Sequence, residues 1–124
     1  MDTSMTTAVA AAQRWEDMPA QEVAPGIVRR YLTTSKVTIA RFAIARGAVV
    51  PAHRHEQEQV SCVLSGALRF RCGDREMTLR GGETVQIPSW VEHSVVALED
   101  TDVIDVFTPV RQDWVDGTDT YFRK

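Results

Sequence analysis

The stretch GAVVPAHRHEQEQVSCVLSG, residues 47–66, decides how the rest of the chain reads. A glycine stands at each end. Between them come His53 and His55, one residue apart, and then Gln59. Side chains two apart on a strand share a face, so His53 and His55 are expected to reach one ion together. If the extended conformation runs on, Gln59, Ser61 and Val63 continue that face into the interior. A second stretch, GETVQIPSWVEH, residues 82–93, ends on His93, the last of the chain's three histidines. His93 opens a later strand and is expected to approach from across the fold. Three imidazoles and one amide carbonyl suit a borderline divalent metal, with positions left open for water or substrate. Either segment taken alone also fits histidines that bind nothing.

Outward from these stretches almost everything reads as strand. Residues 27–32 form a first run, and 37–46 a longer one rich in Val, Ile and Phe. Residues 59–64 and 67–71 flank the tight turn Ser65-Gly66 as a hairpin. Residues 75–79, 83–87, 93–98 and 103–107 follow, separated by turns at Gly73 and at Gly81-Gly82, and Pro109 closes the last. A turn of helix is expected over 13–18, and a flap or short helix around Trp114 and the Asp116-Gly117 turn. Many short strands punctuated by glycine turns predict an all-β sandwich or closed barrel, which removes the edges such strands would otherwise expose.

The chain has 124 residues, enough for one domain with a core of its own. The expected division is an N-terminal extension over 1–18, loosely ordered, and a single barrel domain over 19–124. A net charge of -3 and scattered Lys and Arg give no basic field for nucleic acid. No stretch reaches the apolar length that spans a membrane. The start lacks the basic and apolar regions of a secretory signal. Cys62 and Cys72 read as reduced, buried thiols, and the expected location is the cytoplasm.

The two histidine stretches resemble the two cupin motifs. Gly47, His53, His55, Gln59 and Gly66 fall at the spacing of the first, with Gln59 where Glu is usual. Gly82, Pro88 and His93 fall at the spacing of the second, with Trp90 where Gly is usual and Ala97 at a frequent Asn position. The resemblance runs over 27–108. It implies a double-stranded β-helix barrel, jelly-roll-like, one metal ion held by His53, His55, Gln59 and His93, and commonly a homodimer. The ion is a divalent transition metal: Mn, Fe, Ni, Zn or Cu. With Gln instead of Glu the four ligands are neutral, so the ion keeps its full charge for Lewis-acid work. The carboxylate of the facial triad of non-haem iron oxygenases is then missing. Gln59 also fits a place outside the coordination sphere, as a hydrogen-bond donor.

Proton chemistry needs another group, since every histidine is committed to the metal. Asp105 sits inside an apolar strand, where a carboxylate is out of place unless it is paired or functional. Arg111, just past Pro109, is suited to a bidentate grip on a substrate carboxylate. A structural Asp105–Arg111 ion pair is the other reading of the same two residues. The ending DVFTPVRQDW, residues 105–114, resembles cupins of the KdgF type, which act on unsaturated uronates from pectin and alginate. That resemblance implies Asp105 and Arg111 as catalytic residues. The same ending occurs in cupins related to polyketide cyclases.

Trp90 is placed to stack on a substrate ring or to pack on a neighbouring loop. Trp15 and Trp114 are expected to tie the termini to the barrel. Glu56, Glu58 and Glu92 read as solvated loop charges, and Arg69 and Arg71 as a polar outer face. Three functions follow: a metal-dependent isomerase-like enzyme acting on a small, anionic, oxygenated molecule such as an unsaturated uronate; a metal-dependent dioxygenase of the quercetinase-like type; and a non-catalytic small-molecule-binding cupin.

Overall fold

The computed structural model describes residues 9–119. Residues 1–8 of the expected extension and 120–124 of the expected domain lie outside the described residues. Ten strands run in chain order: β1 Gln21–Ala24, β2 Ile27–Thr33, β3 Thr38–Ile44, β4 Val49–His53, β5 Glu58–Ser65, β6 Ala67–Cys72, β7 Arg75–Arg80, β8 Thr84–Ile87, β9 His93–Ala97 and β10 Thr101–Thr108. A 3-10 turn, Trp15–Asp17, precedes them and a five-residue helix α1, Gln112–Asp116, follows. The strands make a six-stranded sheet, β1-β2-β3-β10-β5-β8, facing a four-stranded sheet, β4-β9-β6-β7. All pairings are antiparallel. This is the double-stranded β-helix sandwich expected from the sequence.

Alternation explains which face each strand buries. On β3, Ala40, Phe42 and Ile44 point inward; on β6, Leu68 and Phe70 do so while Arg69 and Arg71 face out. The two inner faces interdigitate as an apolar core that includes Ile27, Val63 and Val103. Arg69 and Arg71 lie near Glu76 on the exposed side. The β5–β6 turn is fixed by Gly66, whose φ of +93° is left-handed and whose Cβ, if present, would collide with the Asp100 carbonyl and Thr101.

Three features differ from the sequence reading. Strands β1 and β4 were not expected as separate elements: β1 is only four residues long, and β4 carries Pro51. Proline is tolerated there because β4 is an edge strand whose register slips between Val50 and His53. Second, the extended chain does not run from His53 through to Gln59. It bends at Glu56-Gln57 and crosses from the smaller sheet to the larger. Third, Cys62 and Cys72 are free, as expected, but half-buried: Cys62 points to the outer face of β5, whereas Cys72, on the same face as Leu68 and Phe70, lies at the end of β6 against the edge of the core.

The segments before β1 and after β10 are tied to the barrel through Trp15, Met18 and Trp114. Met18 is buried, and Arg30 donates to the Trp15 carbonyl. Trp114 on α1 is buried against Tyr31, Phe42 and Phe107. Arg29 lies over the Trp114 ring and pairs with Asp119. Among the described residues no helix is long and apolar enough to cross a membrane.

Candidate metal centre

His53 closes β4 and His93 opens β9, and the two are direct partners in the antiparallel register. His93 therefore reaches the site from beside His53, in the same sheet, and not from across the fold. Gln59 is the ligand candidate that crosses, from β5 of the opposite sheet. His55 lies just beyond β4, in the crossing segment. The ring centroids are 4.3 Å apart for His53 and His93, 5.0 Å for His55 and His93, and 5.5 Å for His53 and His55. One ligand nitrogen from each ring lies within 4.8 Å of the others.

Each ring is oriented by the same local device. The Nδ1 atoms of His53, His55 and His93 lie 2.8, 3.0 and 2.9 Å from the carbonyl oxygens of Pro51, Gln57 and Val91. A carbonyl only accepts, so each Nδ1 carries the proton and donates it. Each Nε2 is then left as a bare lone pair, the tautomer a metal requires.

Gln59 completes the set. Its amide Nε2 donates to Ser61 Oγ at 3.0 Å, which turns Oε1 the other way, to 3.2 Å from His55 Nε2. With His55 protonated on Nδ1, these two atoms are both acceptors. Two facing lone pairs in a buried site call for a cation between or beside them. His93 Nε2 is likewise buried and has no hydrogen-bond partner among the described residues. The donor set therefore fits a divalent transition metal held by His53, His55, His93 and Gln59.

Electrostatics agree. Burial pushes His53 down to about 3 and His55 to about 4, well below an ordinary imidazole, and lowers His93 in the same direction. The neighbouring imidazoles add to this at His53 and His55, and the positive charge of Arg111 does so at all three. The site holds neutral rings at neutral pH.

The centre opens into a cavity between the two sheets. The walls are largely apolar, with Phe42, Leu68, Phe70 and Phe107 prominent. Asp105 and Arg111 line the same cavity as His53, Gln59 and His93. Asp105 faces inward from the middle of β10, opposite Ser61 on β5. Burial raises its carboxyl to about 6, against the opposing effects of a Ser61 hydrogen bond and the Arg111 charge. Its Oδ1 has no hydrogen-bond partner among the described residues.

Arg111 is 1% exposed. Its guanidinium lies over the rings of Phe107 and Trp114, 4.8 and 4.4 Å from their centroids. The ion pair considered between Asp105 and Arg111 is not the one formed. The Nε and Nη2 atoms donate to Asp113 instead, at 2.9 and 2.7 Å. Asp113 is better placed because it sits two residues on, in the first turn of α1, whereas Asp105 is fixed on the strand floor.

Trp90 is 61% exposed and is not among the cavity-lining residues. It adopts a left-handed φ of 67°, which accounts for glycine being usual there, and its amide donates to the His55 carbonyl at 2.8 Å. Gln57 is a residue the sequence reading missed. It is buried, its carbonyl accepts from His55, and its side chain donates to the Val110 carbonyl at 3.0 Å. It thereby ties the histidine loop to the segment that carries Arg111. Placed among three other polar loop residues, it gave no signal in the sequence.

Comparison with known proteins gives a consistent family. The family described as "Cupin domain" matches residues 40–107. KdgF from a Halomonas species is 31% identical, over 86% of this chain and 99% of that one, with a TM-score of 0.81. An RmlC-like cupin from Shewanella frigidimarina is 23% identical, over 86% and 96%, with a TM-score of 0.80. The polyketide cyclase RemF from Streptomyces resistomycificus is 24% identical, over 82% and 80%, with a TM-score of 0.69. The comparison with curated proteins yields no match. With the family match covering more than half its length and both histidine stretches gathered at one site, the chain belongs to the cupin family.

Proposed function

We propose that this cupin is a metal-dependent enzyme that opens and ketonises a small carboxylated sugar such as a 4,5-unsaturated uronate. The observation that carries the reading is the meeting, in one cavity, of a neutral three-histidine and glutamine set with a buried acid, Asp105, and a buried cation, Arg111. The likeness to KdgF over most of both chains supports it.

A divalent ion bound by His53, His55, Gln59 and His93 supplies Lewis acidity toward hydroxyl or carbonyl oxygens. The other roles fall to the chain's own groups. Arg111 provides the positive charge that draws the uronate carboxylate into an otherwise apolar cavity. Asp105, with a carboxyl raised to about 6, takes and returns a proton near neutral pH. It removes the proton of the enol hydroxyl and delivers one to the alkene carbon as the ketone forms. The apolar walls exclude bulk water from that exchange.

The test is direct. The metal-loaded protein is given unsaturated galacturonate or guluronate, and loss of the conjugated ultraviolet absorbance is compared with the spontaneous rate. No acceleration with either sugar removes the reading. A second reading, a dioxygenase acting on a flat oxygenated molecule, is favoured by the predominantly aliphatic and aromatic cavity wall. Oxygen uptake with a flavonol or diketone distinguishes it.

A further inference from the structure

The peptide group between Val110 and Arg111 is held at both of its polar ends by side chains. Gln57 donates to its carbonyl oxygen at 3.0 Å, and its N–H donates to Thr38 Oγ1 at 2.9 Å. Pro109 creates the need. The β5–β10 ladder ends at the pair Glu58–Thr108, and Pro109, next in the chain, has no N–H with which to continue it. The peptide beyond takes its partners from side chains instead.

The two holders differ in what they are attached to. Thr38 is wholly buried on β3 and ties the peptide to the sheet. Gln57 belongs to the bend between β4 and β5, two residues after His55. Its own carbonyl takes the His55 Nδ1 proton at 3.0 Å. Gln57 is buried, although Glu56 and Glu58 on either side are exposed. A carbonyl only accepts, so the Gln57 amide must present its N–H to Val110.

We propose that Gln57 is a positioning residue that couples the metal centre to the Arg111 cation. An ion on His55 steadies the bend, and the Gln57 side chain passes that order to the peptide from which Arg111 departs. The inference rests on the metal-centre reading and is independent of the sugar substrate. The path is short: His55 ring, Gln57 carbonyl, Gln57 amide, Val110 carbonyl. Direct electrostatics cannot supply the same coupling, because a divalent ion and a guanidinium repel each other. Metal loading would by charge alone loosen the Arg111 segment; through Gln57 it tightens it.

Backbone amide hydrogen exchange, followed by NMR on the full chain with and without saturating Zn2+, tests this. In the parent, Zn2+ is expected to slow exchange of the Arg111 and Gln112 amides about fivefold or more. Gln57→Met fills similar space but has no N–H to give. In that variant the same two amides should exchange within about twofold of one rate, with or without Zn2+. The Leu68 and Phe70 amides of β6 report opening of the whole domain. They slow in both proteins, which shows that zinc is bound in each. A merely structural Gln57 would, when replaced, speed exchange in both states and leave the zinc effect intact. Equal slowing at Arg111 and Gln112 in both proteins, or none in the parent, overturns the proposal. Should Gln57→Met not fold, Gln57→Leu takes its place. A parent whose β6 amides are also unmoved binds no Zn2+, and the metal centre falls together with the link. Zinc binding without the Gln57-dependent slowing removes the link alone.

Discussion

Arg111 turns one full edge of its guanidinium to Asp113, with Nε and Nη2 donating at 2.9 and 2.7 Å. The cation in the cavity is thus held by a side-on fork, the geometry that fixes an arginine in one place. The same contact holds the Asp113 carboxyl below the usual carboxylate range, although burial works the other way. A carboxylate ligand entering the cavity meets a positioned charge and shares it with Asp113.

This arrangement predicts that charge alone does not suffice. Arg111→Lys keeps a cation but loses the fork and the flat stacking over Phe107 and Trp114. Its kcat/KM toward a carboxylated substrate is expected to fall by about two orders of magnitude, with most of the loss in KM. Asp113→Asn leaves a buried guanidinium half-compensated and should lower the unfolding free energy by about 1–2 kcal/mol, a modest figure because Asp113 is one-third exposed. Urea melts and steady-state kinetics on the two variants check both statements.

Asp105 predicts a conflict between stability and chemistry. Its folded carboxyl is raised from 3.8 to about 6. A raised acid favours the folded protonated form, so the penalty is absent below about pH 4 and complete above about pH 6. By linkage the carboxylate costs the metal-free protein roughly 3 kcal/mol at pH 8. Asp105→Asn removes that cost. The variant should be more stable than the parent at pH 8, with the difference shrinking toward pH 4, while catalysis falls by at least 100-fold. Equal stability differences at pH 4.5 and pH 8 would show that the carboxylate is not desolvated.

How these groups meet was legible in the sequence to different depths. Strand periodicity put Arg69 and Arg71 on an outer face, and the apolar run around Asp105 marked its carboxylate as out of place unless paired or functional. The histidines and Gln59 were legible because few residue types ligate metals and their spacing is regular. What spacing could not carry was the route between them. Strand alternation cannot announce the bend at Glu56-Gln57, which sends Gln59 to the opposite sheet. Nor can it choose between two acids for Arg111, because that choice depends on where α1 docks, and Trp114 settles it by packing into the core.

The lowered histidines predict how the metal-free site responds to acid. Folded pKa values near 3 and 4 for His53 and His55, below the ordinary 6.5, mean that the unfolded chain takes up protons first. Stability from these residues is whole above about pH 6.5 and drains away as pH falls toward 3–4. It also means that metal uptake displaces almost no protons from these two rings. Three ordinary imidazoles would release about two protons per metal at pH 6. This site should release clearly fewer, with almost nothing from His53 and His55, as read by titration calorimetry at pH 6 in buffers of different ionisation enthalpy. Release of two protons per metal would show that the rings are not desolvated before the ion arrives.

Trp90 offers the last test, because its backbone and its side chain pull in opposite directions. A non-glycine residue at φ 67° carries steric strain of about 1 kcal/mol. The exposed indole recovers little of that by packing. Trp90→Gly should therefore be as stable as the parent or more stable by up to about 1 kcal/mol. Its amide still donates to the His55 carbonyl, so metal affinity should hold within about threefold. A residue strained without gain in packing is a candidate for work at the cavity mouth. If Trp90 meets the sugar ring as it enters, Trp90→Gly raises KM by about tenfold, the scale of one aromatic contact, with kcat unchanged. An unaltered KM in a more stable variant would leave the side chain with no part in binding, and the left-handed turn would then be its only role.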